Sequence, residues 1–127
     1  MNAPVNSTAT VLVVDDMSSM RAITKKILKH FGYTNVLECE NGKQALSRLK
    51  ASRIDLVICD WDMPVMTGYE LLQAVKSSDR LSKIPFIMLT ANASGEFVSK
   101  CVEAKVSDYI VKPFQPNNFI ERVKKHI

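Results

Sequence analysis

Two patterns of apolar and polar positions alternate along the chain. Short apolar runs fall at residues 11–14, 54–59, 86–89 and 109–111. Runs of that kind suit strands covered on both faces, as in a parallel sheet. The stretch Val36-Leu37-Glu38-Cys39 is less uniformly apolar and reads as an edge strand. Between these runs the apolar positions take a helical spacing. Met20, Ile23, Ile27, Leu28 and Phe31 form a first stripe, with Ser18 or Ser19 as its N-cap and Gly32 as its stop. Ala45, Leu46 and Leu49 follow Asn41-Gly42, and Leu71, Leu72 and Val75 follow a start near Thr67. Phe97, Val98, Cys101 and Val102 make a fourth stripe; Phe119, Ile120, Val123 and Ile127 make a fifth.

Strand and helix therefore alternate five times. That order predicts an α/β domain, (βα)5, with a doubly wound parallel sheet and right-handed crossovers. With the amphipathic second strand at an edge, the strand order is expected to be 2-1-3-4-5. No repeat, linker or low-complexity tract breaks the pattern. One domain is expected over residues 10–127, preceded by a flexible N-terminal tail over residues 1–9.

Composition narrows the class. A chain of 127 residues, 46% hydrophobic and 24% charged, has the make-up of a soluble globular domain and can bury a core without staples. No apolar run nears the ~20 residues of a membrane helix. The polar opening MNAPVNSTAT lacks the features of a signal peptide, so the cytoplasm is the expected location. Cys39, Cys59 and Cys101 are scattered in apolar segments, with only His30 and His126 to join them. They read as reduced core thiols rather than a zinc site. The net charge of +4 is spread over helical faces such as Lys25, Lys26 and Lys29. Solvated helix surface explains it, and nucleic-acid binding is not expected.

The informative polar residues collect at strand ends. Asp15 and Asp16 follow the first strand, Asp60 ends the third, Thr90 the fourth and Lys112 the fifth. Ligands of open α/β sheets bind outside the carboxyl ends of strands where the strand order reverses. Here that point lies between the first and third strands. Any one of these residues reads blandly as a helix cap or surface charge. Together, three carboxylates at one rim would repel one another and raise each other's pKa values. A hard divalent cation such as Mg²⁺ removes that cost. Asp60 can then serve as a nucleophile that forms an acyl phosphate. Phosphoryl transfer needs positioning and neutralised oxygens, which Mg²⁺, Lys112 and the Thr90 hydroxyl can supply.

These same residues carry a family resemblance. VLVVDD at 11–16, ICDWDMPVMTGYELL at 58–72, MLTA at 88–91 and DYIVKPF at 108–114 resemble the receiver domain of two-component response regulators, within a flavodoxin-like fold. Single-domain chemotaxis regulators are the nearest subfamily by DWDMP and DYIVKPF. The resemblance implies that Asp60 accepts phosphate from a sensor histidine kinase, and that Asp16 and Asp60 bind Mg²⁺ by carboxylate. Asp15 would assist through water and Asp62 through its backbone carbonyl. Thr90 and Lys112 would bind phosphoryl oxygens, with the Lys112–Pro113 bond cis. Thr90 and Tyr109 would form the switch that reshapes the face of the fourth helix, fifth strand and fifth helix for a downstream target. Asp62 and Asn92 stand at positions that tune phosphoryl lifetime, and a phosphatase is a further partner the resemblance implies. Motor-binding relatives carry lysine where this chain has Ser94-Gly95, a departure from the flagellar-motor pattern.

Other readings use the same residues. Asp60-x-Asp62 resembles the nucleophile motif of haloacid-dehalogenase-type phosphatases, but Pro64 replaces a small or hydroxyl residue and the motif follows the third strand, not the first. A receiver fold that only binds partners would lack the acceptor, acidic pair or lysine. A flavodoxin-like cofactor binder would carry a Ser/Thr/Gly-rich loop where Asp15-Asp16-Met17 stands. A receiver module of a larger regulator, or a phosphate sink, keeps the same chemistry. Phosphotransfer to its own Asp60 and autodephosphorylation are expected, not enzymatic turnover.

Overall fold

A computed structural model describes residues 8–91 and 94–127. Its elements run β1 (Thr10–Val14), α1 (Ser18–His30), β2 (Asn35–Cys39), α2 (Gly42–Ala51), β3 (Leu56–Asp60) and α3 (Gly68–Lys76). A short 3-10 turn (Leu81–Lys83) then leads to β4 (Phe86–Thr90), α4 (Gly95–Glu103), β5 (Asp108–Val111) and α5 (Pro116–Lys124). All strand pairs are parallel and the order is β2-β1-β3-β4-β5, as the edge character of β2 implies. Every residue of β3 and β4 is buried, whereas β2 alternates, because helices cover both faces of the inner strands.

Alternate strand residues feed two cores. Leu12, Val14, Val57 and Met88 pack beneath α2, α3 and α4. Val11, Val13, Ile58 and Ile87 pack beneath Leu28 of α1 and Phe119, Ile120 and Val123 of α5. Ala9, just before β1, is also buried. The three cysteines are free and buried. No helix among the described residues is long and apolar enough to cross a membrane.

Helix ends follow local chemistry. The α1 terminus closes with Tyr33 N–H on Leu28 O at 3.0 Å and Gly32 N–H on Lys29 O at 3.1 Å. Gly32 has φ of 100°, the left-handed conformation this closure requires. At α3, Thr67 and Glu70 form a reciprocal capping box, and Asn41 caps α2 by accepting from Gln44 N–H.

Three expectations need correction. The N-cap of α1 is Met17, not Ser18 or Ser19; the Asp15 side chain accepts its N–H at 2.9 Å, so the aspartate shapes the entry one turn earlier. Ile23 is 50% exposed while Thr24 is buried, because the inward face of α1 centres on Thr24 and Leu28 and leaves Ile23 on the flank. Val102 is 65% exposed, and α4 buries only Cys101. An apolar residue at the margin of a helical stripe matches the period without reaching the core.

Candidate functional site: a carboxylate pocket at the sheet rim

The carboxyl ends of β1 and β3 lie side by side, with Val14 opposite Cys59. The residues that follow therefore meet. Asp15, Asp16 and Asp60 each offer an oxygen, and these atoms lie within 4.8 Å of one another. Asp15 and Asp60 are buried and Asp16 is exposed, so the pocket has two sunken walls and an open lip. Lys112 enters from the end of β5. Its backbone N–H donates to Thr90 O at 2.8 Å, and its ammonium donates to Asp60 Oδ1 at 2.9 Å. The same ammonium stands 3.6 Å from Asp15 Oδ2. The Lys112–Pro113 peptide is cis.

Burial pushes the Asp60 carboxyl above its ordinary value. The hydrogen bond and charge of Lys112 oppose that shift, while Asp15 and Asp62 add to it. One ammonium thus neutralises only part of the negative charge. The neighbouring Cys59 thiol is pushed well above its ordinary value by complete burial, then by Asp60 and Asp15. It stays protonated at neutral pH and does not compete as a nucleophile.

The backbone holds Asp60 firmly. Trp61 N–H donates to Leu89 O and Gly68 N–H to Trp61 O, each at 2.9 Å. A Cβ on Gly68 would stand 2.3 Å from Asp60 O, so only glycine permits α3 to start this close to β3. Arg21, which sequence reasoning passed over, donates to Asp15 O at 2.6 Å and pairs with Glu38 at 3.3 Å. Nothing in its sequence position distinguished it from the other cations of α1.

Not every candidate joins the cluster. The Asp62 side chain is exposed and outside the three-carboxylate group. Thr90, buried at the end of β4, has its neighbour two residues back, Met88, paired with Tyr109 on β5. Tyr109 is half-buried against the core beneath α3 and α4. Asn92 lies outside the described residues.

Comparison with known proteins agrees with this geometry. Residues 11–124 match the model of the response regulator receiver domain. The chain belongs to that family. It is 40% identical over 115 residues to chemotaxis protein CheY of Pseudomonas aeruginosa, covering 91% of this chain and 93% of that one. It is 38% identical over 125 residues to chemotaxis protein CheY-3 of Vibrio cholerae, covering 98% and 96% respectively. The solved structure of Vibrio cholerae CheY4 superposes with a TM-score of 0.87 at 33% identity, over 94% of this chain and 98% of that one. The receiver domain of a sensor histidine kinase from Pseudomonas aeruginosa, solved with magnesium coordinated in its active site cleft, superposes with a TM-score of 0.85 at 26% identity, over 93% and 96%. This is a CheY-like receiver domain of two-component signalling.

Proposed function

We propose that the chain is a phospho-acceptor switch in which Asp60 takes a phosphoryl group from the phosphohistidine of a sensor kinase. The observation that carries the reading is the trio Asp15, Asp16 and Asp60 with the Lys112 ammonium on Asp60 Oδ1. An Asp60 oxygen forms the new P–O bond as the P–N bond breaks, and the imidazole leaves. Lys112 is within reach of an oxygen added at Asp60, and Thr90 ends the adjacent strand to meet another. Binding and positioning of this kind is most of what phosphoryl transfer requires.

The donor set is all carboxylate, which suits Mg²⁺ rather than a softer metal. Asp16 and Asp60 would hold the ion directly, Asp15 through water, and Asp62 by its carbonyl. When bound, it supplies positive charge to a phosphoryl oxygen. Thr90 and Tyr109 are assigned the switch, and the face of α4, β5 and α5 the downstream contact. A phosphatase is assigned to dephosphorylation, with Asp62 and Asn92 tuning its intrinsic rate. The domain spans residues 10–127 after a tail over 1–9, works in the cytoplasm and turns over no external substrate. Chemotaxis is the assigned setting, because the CheY relatives that share 38–40% identity over most of the chain are chemotaxis proteins. Ser94-Gly95 in place of lysine argues for a target other than the flagellar motor.

Acetyl phosphate with Mg²⁺, followed by intact-mass measurement and peptide mapping, tests the assignment. A single added phosphate on Asp60, absent from Asp60→Asn, is expected. Labelling retained in that variant would sink the acceptor role.

A further inference from the structure

Trp61 follows the acceptor directly, and its side chain is buried in the core on the α3 and α4 side. There it is stacked on Tyr69 of α3, with centroids 5.3 Å apart and planes at 16°. Phe97 of α4 meets it edge-on at 4.8 Å and 68°. Both geometries are favoured for aromatic pairs. Lys100 of α4 stands 6.0 Å above the Tyr69 ring, a second tie between the two helices.

The attachment of α4 gives this clamp its importance. Whereas α3 buries Gly68, Leu71, Leu72 and Val75, and α5 buries Phe119, Ile120 and Val123, α4 buries Cys101 alone. Cys101 lies towards the C-terminal end of α4, and in the N-terminal half Phe97 packs against Trp61. The Trp61 backbone hydrogen-bonds to Leu89 O and to Gly68 N–H, with the acceptor on one side and Asp62 on the other.

We infer that Trp61, clamped by Tyr69 and Phe97, is a positioning residue that couples the chemical state of Asp60 to α4 by a route separate from Thr90 and Tyr109. The inference rests on the acceptor reading of Asp60. A new group on Asp60 shifts residues 60–62; the rigid indole moves with them, and Phe97 must follow or release. Since α4 buries Cys101 alone, that helix takes up the displacement. Tyr69 also lines the groove between α3 and α4, with Gln73, Lys76 and Lys105, so the movement alters that groove.

Wild type, Phe97→Leu and Tyr69→Leu are each treated with acetyl phosphate and Mg²⁺. Intact mass reads loading, and hydrogen exchange is followed over Gly95–Glu103 and over residues 108–124. The wild type is expected to change exchange in both segments several-fold. Both variants should load phosphate and keep the response over 108–124, yet lose most of the response in α4. Loaded variants whose α4 still responds fully would overturn the inference, as would loss of both responses together. So would a loaded wild type with a silent α4. A wild type that takes no phosphate would instead sink the acceptor reading. The two substitutions lie on different helices, so misfolding of one leaves the other to decide.

Discussion

The ammonium of Lys112 donates to Asp60 Oδ1 at 2.9 Å across 52 residues of sequence, with both side chains shielded from water. It is a short charge-assisted bond at the point where a second negative group has to be accepted. Lys112 also stands 3.6 Å from Asp15, so one cation is shared by two of the three carboxylates.

Removal of that cation leaves the carboxylates facing one another. Lys112→Ala is expected to destabilise the metal-free domain by about 1–2 kcal/mol, below the ~3–5 kcal/mol of a fully buried pair because water reaches the pocket. Urea denaturation in EDTA measures it. Mg²⁺ affinity should be retained or tightened, since a competing positive charge is gone, as a Mg²⁺ titration followed by Trp61 fluorescence reads. The phosphorylated variant should fail to change its α4, β5 and α5 face, as seen by hydrogen exchange.

The pH dependence follows from Asp60. Its folded pKa is raised above the ordinary 3.8, chiefly by burial. Protons then bind the folded state more tightly than the unfolded one near that range. The resulting stability is present at low pH and lost as pH rises through the raised value. In EDTA, Asp60→Asn should therefore gain on the wild type from about pH 4 towards neutrality. Mg²⁺ opposes that gain: at tenfold its dissociation constant it should stabilise the wild type by about 1.4 kcal/mol and the variant less. Denaturation midpoints at several pH values, with and without Mg²⁺, check both signs.

Gly68 is the tightest steric point at the site. Gly68→Ala would set a methyl 2.3 Å from Asp60 O, a backbone atom that cannot swing aside. A loss of about 2–3 kcal/mol is expected, at the upper end of overpacking costs, together with weaker Mg²⁺ binding as β3 and α3 part. Thermal melts and Mg²⁺ titration measure the two effects.

Val65 carries a φ of 70° at 76% exposure, inside a tight turn where Met66 N–H donates to Pro64 O at 2.7 Å. A β-branched side chain is poorly suited to that conformation. Val65→Gly should stabilise the domain by about 1 kcal/mol, since glycine reaches a positive φ without a Cβ clash. A urea midpoint unchanged or lowered would show that the turn relaxes at no cost.

Much of this site was legible in the chain because its signals are local. Asp15, Asp16, Asp60, Thr90 and Lys112 each stand at the end of an apolar run, and parallel strands place all such ends on one rim. Arg21 was not legible: its bond to Asp15 O depends on where α1 crosses β1, and it resembles any other cation on a helix. The aromatic clamp escaped for a similar reason. Tyr69 and Phe97 sit on separate helices; Phe97 alone reads as a stripe residue, and Tyr69 stood out in no pattern.

Hydrophobic periodicity by itself determined the five alternating units and that β2 lies at one edge, since burial on one or both faces dictates residue types over a few positions; the half-exposed β5 at the other edge did not show in its apolar run. It also fixed which residues reach the rim. Tertiary structure alone decided that Thr24 rather than Ile23 turns inward, that α4 buries Cys101 alone, and that a single ammonium bridges Asp15 and Asp60. Those outcomes are set by distances of a few ångströms between segments far apart in sequence, and a local pattern of apolar and polar residues carries no such distance.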